Sequence, residues 1–401
     1  MKQYIDLITA ILKEGRTKTD RTGTGTISIF GHQSVYYMKD GFPLLTLKKT
    51  YTNGVIHELL WFLNAMPEKY KIFGNTNIKY LVDNNVHIWD EWAYAKYKKI
   101  CSNLLRPVDQ LHIIDISSES FRIMSQEEFI ERIKIDEKFA LDYGDLGPVY
   151  GKQWINCGKT EIPANPWNNG IIEGINQIQV VIDTLKNRPD DRGIIVSAWQ
   201  VNELNEMALR PCHTLFQFIT EPLTFEERMN IFIKDGHDIL ELGVVGTGRT
   251  EEQIQELLSS ETFKIPRFRL SLQLYQRSAD TFLGVPFNIA SFAMLLDMVA
   301  QVVNMIPYKF VHTFGDLHLY LNHKNQVNEL LNRTRELNSE IIDFYSLSKE
   351  EIDRSIGNYY GPPLPKLKLN PEITNIFDFR IDDIKIIDYN PLSAIKAPVA
   401  V

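Results

Sequence analysis

The chain has 401 residues, 44% of them hydrophobic, which is enough material to bury a large core. Lys and Arg number 43 against 51 Asp and Glu, a formal net charge of −8. That balance argues against a general nucleic-acid binder, which shows a basic excess, while allowing a local basic pocket for one phosphate.

Ile5, Ile8, Ile11 and Leu12 recur at helical spacing, and Gly15 suits the stop of a first amphipathic helix. DRTGTGT (20–26) has loop composition, and Ile27, Ile29, Val35 and Tyr37 predict strands around Gly31. GVIHELLWFL (54–63) predicts a buried helix with Glu58 among apolar neighbours. HIWDEW (87–92) sets two tryptophans beside two acids, and GDLGPVYGKQW (144–154) is turn-rich, then aromatic. Ile171, Ile175, Ile178, Ile182 and Leu185 predict a helix over 171–187, and the β-branched GIIVSAW (193–199) a buried strand.

HTLFQFIT (213–220) and LSLQLYQR (270–277) read as two strands of one sheet. The charged stretch between them, 221–269, reads as an insertion with one helical pattern near 251–259. LGVPF (283–287) predicts a turn, because Pro286 restricts the backbone. A long apolar helix over 288–305, a strand over 310–320, a second polar insertion at 334–361 and a strand-like tail over 366–389 follow. Strands and helices interleave without a regular alternation. The expectation is an α/β (α+β) fold, one mixed-sheet core spanning 1–401 with flanking helices and inserted lobes. The apolar run at 290–303 is broken by Asp297 and too short for a membrane span, and the N-terminus lacks the pattern of a signal peptide.

The three cysteines, Cys101, Cys157 and Cys212, make neither a disulfide framework nor a zinc site, so a reducing, cytoplasmic setting is expected. Cys212, in RPCH at the start of a strand, is the sharpest candidate nucleophile. A reactive thiol needs nearby positive charge, and Arg210, His213 and, if the strands pair, Arg277 offer it. The alternative is an inert buried cysteine. Glu58 is either a carboxyl with a raised pKa suited to proton relay or a glutamate that reaches solvent. Arg21, Arg192 and Arg277 suit phosphate, although each taken singly suits a surface ion pair as well. GVVGTG (243–248) lacks the Lys-Ser/Thr pair of a phosphate loop and reads as a surface turn. His318 and Tyr320, two apart on a strand, share one side, where they suit either a sugar hydroxyl or a structural pair. His318 and His323 have no third ligand at metal spacing, so no metal is expected.

DRTGTGT, HELLWFL (57–63), IWDEW (88–92), GDLGPVYGKQW, IIVSAW (194–199), PCHTLFQF (211–218), LQLYQRSADTFLGVPFNIASF (272–292), GDLHLYLNH (315–323) and IKAPVAV (395–401) together resemble the thymidylate synthase family, in order and across the whole chain. The resemblance implies conversion of dUMP to dTMP with methylene-tetrahydrofolate as one-carbon donor and reductant. It implies that Cys212 adds to position 6 of the pyrimidine. Arg277, Arg21 and Ser278 would bind phosphate, and Arg192 would reach the phosphate of a partner subunit in a homodimer with shared sites. Asn288 would read the base through its donor and acceptor, where cytosine-specific relatives carry aspartate. His318 and Tyr320 would bind the ribose, and Tyr150 and Glu58 would organise water and proton transfer. Asp280 would contact the pterin. Ile88, Trp89, Trp92, Leu209, Gly284 and Phe287 would line the folate site, and Val401 would close over the ligands.

Two positions depart from the family pattern. Gly193 stands where a second consecutive arginine is usual, and Arg210 stands where the residue is usually small or proline. We take Arg210 as a source of the lost positive charge. The stretch 93–142 resembles the extra lobe of longer family members, and 64–74, 156–170, 221–269 and 334–361 read as surface excursions. Two other functions fit parts of the pattern. A dUMP hydroxymethyltransferase would share the Cys212 adduct but admit water at the last step. A non-catalytic nucleotide- or RNA-binding regulator would use the fold alone.

Overall fold

The computed structural model describes residues 1–20, 23–104, 122–158, 160–161, 171–243, 248–335, 341–355 and 361–399. Arg21 and Val401, both expected at the site, lie outside the described residues, as does much of GVVGTG.

Helix α1 (Lys2–Glu14) buries Tyr4, Ile5, Leu7, Ile8 and Ile11 on one face, and its chain leaves at Gly15, whose N–H bonds the Ile11 carbonyl. Strand β1 (Arg16–Lys18) pairs with β2 (Thr26–Tyr37), one continuous strand in which Gly31 takes the positive φ of 81°. Helix α2 (Thr52–Phe62) is buried along nearly its whole length. Helices α3 (Lys79–Asp83), α4 (Asp90–Leu104), α5 (Gln126–Ile135) and α6 (Glu137–Tyr143) form a lobe. Tyr94, Tyr97, Phe129, Phe139 and Tyr143 hold it together through ring contacts. Phe129 and Ile133 are wholly buried in the main core, so α5 is built into the core rather than laid over it.

Helix α7 (Tyr150–Asn156) is followed by the short pair β3 (Thr160–Glu161) and β4 (Ile171–Ile172). The helix expected over 171–187 is α8 (Gln177–Asn187). Its start is set by the Asn176 side chain, which accepts from the Gln179 N–H, so Ile171 and Ile175 fall outside it. Strand β5 (Ile195–Ser197) lies at a sheet edge, and its Ile195 is exposed rather than buried. Strand β6 (His213–Pro222) leads into an insertion carrying α9 (Phe225–Lys234) and α10 (Glu251–Leu258). These pack on a small core of their own, with Phe232, Leu242, Ile254, Leu258 and Ile265 buried.

Strand β7 (Phe268–Asp280) passes to α11 (Gly284–Val302), then β8 (Ile306–Tyr320). LGVPF is therefore not a turn but the first turn of α11. Pro286 is its third residue, where no helical N–H bond is lost. By length and composition α11 could cross a membrane, but most of it is buried against the protein's own core. Helices α12 (Lys324–Asn332) and α13 (Lys349–Ser355) and the ladder of β9 (Lys366–Leu369) with β10 (Ile384–Ile387) complete the chain.

The main sheet runs β1-β2-β8-β7-β6-β5. All neighbours are antiparallel except β7 and β8, which are parallel and joined by α11. Alternation along the strands separates the two faces. Tyr36, Phe216, Phe218, Leu272, Leu274 and Phe310 point into the core, while Gln33, Tyr37, Gln217, Ile219 and Gln273 face the other way. The sheet thus brings the start of β6 and the ends of β7 and β8 to one place.

Candidate active site

At that place opens a cleft of about 870 Å³. Of the expected residues, Glu58, Ile88, Trp89, Trp92, Tyr150, Leu209, Cys212, Ser278, Asp280, Gly284, Phe287 and Asn288 line it.

Cys212 sits just before β6. Its carbonyl accepts from the Arg277 N–H at 2.9 Å, while Arg277 Nε donates to the Pro211 carbonyl and Nη2 to the Arg210 carbonyl, each at 2.8 Å. The guanidinium is thereby pinned around the 210–212 turn. Gly315 makes room for this: a Cβ there would stand 2.7 Å from the Arg277 carbonyl oxygen and 3.0 Å from the Tyr275 hydroxyl. Burial raises the Cys212 thiol pKa, whereas the Arg277 charge and a hydrogen bond from Tyr150 act to lower it. His213 does not add to that charge. Its ring is buried between Tyr150 and Phe292, and desolvation takes its pKa down to about 4, so at neutral pH it is uncharged.

Glu58 is buried on α2. Trp89 Nε1 donates to its Oε1 at 2.7 Å, yet desolvation dominates and raises the carboxyl to about 7. A group with that pKa can give or take a proton at neutral pH. Trp89, Phe62 and Tyr150 form an aromatic wall, with Trp89 and Phe62 both in ring contact with Tyr150 at 5.9 and 5.0 Å.

Sequence reasoning did not single out the support of Asn288. Gln276 Nε2 donates to Asn288 Oδ1 at 3.1 Å, and Gln276 Oε1 lies 2.8 Å from Nε2 of the buried His312. This chain fixes which end of the Asn288 amide is carbonyl. Gln276 and His213 line the cleft too, as do Tyr51, Asn85, His87, Glu91 and Leu283, and Gln126 from the inserted lobe. Gly54, on α2, lies so close to Tyr51 and Phe287 that a Cβ would come within 2.7 Å of the Tyr51 ring and 3.3 Å of the Phe287 ring.

Asp280 ends β7. Its Oδ1 accepts from the Phe282 and Leu283 N–H groups at 2.9 and 3.2 Å, which shapes the entry to α11. Buried Lys48 holds the same loop, donating to the Phe282 carbonyl at 2.6 Å and lying 3.8 Å from the Phe282 ring centre. Desolvation lowers its pKa to about 8. Val399 of the tail also reaches the cleft.

The remaining expected residues stand apart from the lining. His318 pairs in register with Asp280 across β7 and β8, and its ring contacts Tyr320 at 5.1 Å. Arg192 is exposed, a few residues before the edge strand β5, and is not among the residues lining the cleft. Arg210 is exposed, and its Nη2 donates to Asn205 Oδ1 at 2.8 Å. Among the described residues no three His, Cys, Asp or Glu side chains cluster as metal ligands.

A cysteine held against an arginine, a carboxyl titrating near neutrality, an amide in a fixed orientation and an aromatic wall fit a class of enzyme that sets a thiol nucleophile beside a proton-relaying carboxyl. Comparison with known proteins places the chain within that class. The family model described as thymidylate synthase matches residues 2–244 and 257–401, the gap falling inside the 221–269 insertion. Proteins named thymidylate synthase from Mycoplasma mobile, Malacoplasma penetrans and Aster yellows witches'-broom phytoplasma are 41%, 39% and 36% identical, each aligned over the full length of both chains. The chain belongs to the thymidylate synthase family.

Proposed function

We propose that the protein binds dUMP and methylene-tetrahydrofolate in this cleft and makes dTMP and dihydrofolate. The observation that carries this reading is the Cys212–Arg277–Tyr150 arrangement, in a chain that matches named thymidylate synthases from end to end. Neither the hydroxymethyltransferase nor the non-catalytic regulator finds support in these relatives.

Cys212 thiolate adds to position 6 of the uracil, and the electron pair displaced onto position 5 attacks the methylene carbon of the folate. Loss of the position-5 proton and departure of the folate nitrogen leave an exocyclic methylene on the base. Hydride from the tetrahydrofolate reduces it to methyl, and expulsion of the thiolate restores the ring double bond. Covalent addition divides one difficult substitution into easier steps. Glu58 and Tyr150 move protons near the base through ordered water. Asn288 offers a donor and an acceptor to the uracil edge. Arg277 and Ser278, with Arg21, hold the phosphate, and His318 with Tyr320 the ribose. Asp280 contacts the pterin, while Ile88, Trp89, Trp92, Leu209, Gly284 and Phe287 pack against the folate and keep out water. Val401 completes the closure.

We place the protein in the cytoplasm as a homodimer. The outward sheet face, with Ile219 and Tyr37 exposed beside Gln33 and Gln273, is the surface the partner covers, and Arg192 at its edge is positioned to enter the partner's phosphate site. Sedimentation at micromolar concentration tests this: Ile219→Asp is expected to yield monomers without activity.

The test of the covalent step is incubation with 5-fluoro-dUMP and methylene-tetrahydrofolate, followed by peptide mass analysis. The peptide containing Cys212 should carry both ligands, and Cys212→Ser should carry neither. An adduct on another residue, or none, would overturn the reading.

A further inference from the structure

The C-terminal tail is tied down by a row of donors on one side of the protein. Arg333 Nη1 donates to the Ser393 carbonyl at 2.6 Å, Gln326 Nε2 to the Lys396 carbonyl at 3.3 Å, and His323 Nε2 to the Pro398 carbonyl at 2.8 Å. Residues 323, 326 and 333 fall on one face at helical spacing, so α12 and the turn before it present a single strip of donors.

His323 differs from the other two because it also faces the cleft loop. It is wholly buried, and its Nδ1 has no hydrogen-bond partner among the described residues while standing 3.9 Å from Asp280 Oδ1. A carbonyl only accepts, so Nε2 carries a proton and the ring orientation is fixed. The ring is further held by Phe282 at 5.5 Å and Tyr320 at 5.7 Å. One imidazole therefore stands between Asp280, at the entry to α11, and the tail next to Val399, which lines the cleft.

We propose that His323 is a positioning residue that couples occupation of the Asp280 side of the cleft to fixing of the tail through the Pro398 carbonyl. The proposal rests on the folate reading of the Asp280 loop. A ligand that draws Asp280 toward the cleft moves the carboxylate facing Nδ1, and the rigid ring passes that shift to the tail backbone. Gln326 and Arg333 touch the tail but not the loop, so they anchor without coupling.

The test is hydrogen–deuterium exchange of the 393–399 segment, with and without 5-fluoro-dUMP plus methylene-tetrahydrofolate, together with steady-state kinetics. In the wild type the ligand pair should slow exchange of this segment. In His323→Leu that ligand-dependent protection should be lost, with the folate KM raised about tenfold and the dUMP dissociation constant within about twofold of wild type. His323→Asn, which keeps a polar group but cannot span both partners, should behave like His323→Leu. His323→Gln, whose longer amide reaches the Pro398 carbonyl but sets no rigid ring against Asp280, should anchor the tail without restoring the ligand-dependent protection. Ligand-dependent protection that is the same in wild type, His323→Leu and His323→Asn would overturn the proposal, as would an equal loss of dUMP binding, which marks a merely structural role. Protection without dTMP formation by the wild type would instead refute the functional reading and leave the coupling in place.

Discussion

The hydroxyl oxygen of Tyr150 accepts hydrogen bonds from the backbone N–H of Cys212 at 2.7 Å and from that of His213 at 3.3 Å. A side chain from the first residue of α7 thus fixes the backbone on which the nucleophile rides. The same hydroxyl lies close enough to the thiol to lower its pKa against the effect of burial. One atom of a neighbouring element thus holds the Cys212 backbone and adds to the effect of Arg277 in opposing the rise that burial imposes on the thiol.

Tyr150→Phe removes that atom and leaves two N–H groups without their acceptor, a loss of about 1–3 kcal/mol in folding stability. The Cys212 thiol pKa should rise, because the hydrogen bond from Tyr150 lowers it. Alkylation of Cys212 by iodoacetamide across pH reports this directly. The expected result is a rate profile displaced to higher pH and a fall in dTMP formation of about ten- to a hundredfold. An unchanged alkylation profile would contradict the assigned role.

Burial raises the Glu58 carboxyl from 4.5 to about 7. Between those values the folded protein keeps a proton that the unfolded chain has released, so folding stability falls as pH rises from 4.5 through about 7. Glutamine has no such proton to lose and still accepts from Trp89 Nε1. Glu58→Gln should match wild type below pH 4.5 and be more stable by up to about 3 kcal/mol above pH 7, read from denaturant midpoints. The same variant should lose dTMP formation by about a hundredfold. A stability difference independent of pH would exclude the raised carboxyl.

Arg210 lies two residues from the nucleophile, with its carbonyl held by Arg277 and its own guanidinium resting on Asn205 at the surface. The proposed role requires the guanidinium to leave Asn205 and turn to the substrate phosphate. Arg210→Ala should raise the dUMP KM about tenfold with little change in kcat, the signature of lost ground-state binding. No change in KM would show that Arg210 does not offset Gly193.

Asn288 accepts from Gln276 Nε2, which fixes its amide. Asn288→Asp replaces the donor with a second acceptor, mismatched to the uracil edge. The value of kcat/KM for dUMP should fall about a hundredfold, with gain of activity on dCMP, measured with both nucleotides in parallel. Equal activity on dUMP would mean that the base is read elsewhere.

Much of this site was legible from residue order because its chemistry is concentrated in short runs. PCH, LYQRSAD and HELLWFL each survive as an element end or a helix face, and the paired strands bring Cys212 and Arg277 together as their sequence suggests. What escaped notice depends on three-dimensional surroundings. His213 reads as a positive neighbour of Cys212, yet burial keeps it neutral. Gln276, His312 and Lys48 carry no motif, and their roles arise only where strands and loops meet. LGVPF misleads because proline restricts a turn and also fits the first turn of a helix. Ile171 and Ile175 match the helical period but precede the Asn176 cap that starts α8. The stretch 93–142 reads only as an extra lobe, yet its α5 buries Phe129 and Ile133 and brings Gln126 to the cleft.

In the proposed reaction this cleft methylates dUMP while excluding water. This is tested most directly by incubating the protein with dUMP and methylene-tetrahydrofolate, then identifying the nucleotide by mass and the spent folate by absorbance. dTMP and dihydrofolate should form in equal amounts, both abolished in Cys212→Ser. Hydroxymethyl-dUMP with tetrahydrofolate, or bound dUMP that never turns over, would contradict the proposed reaction.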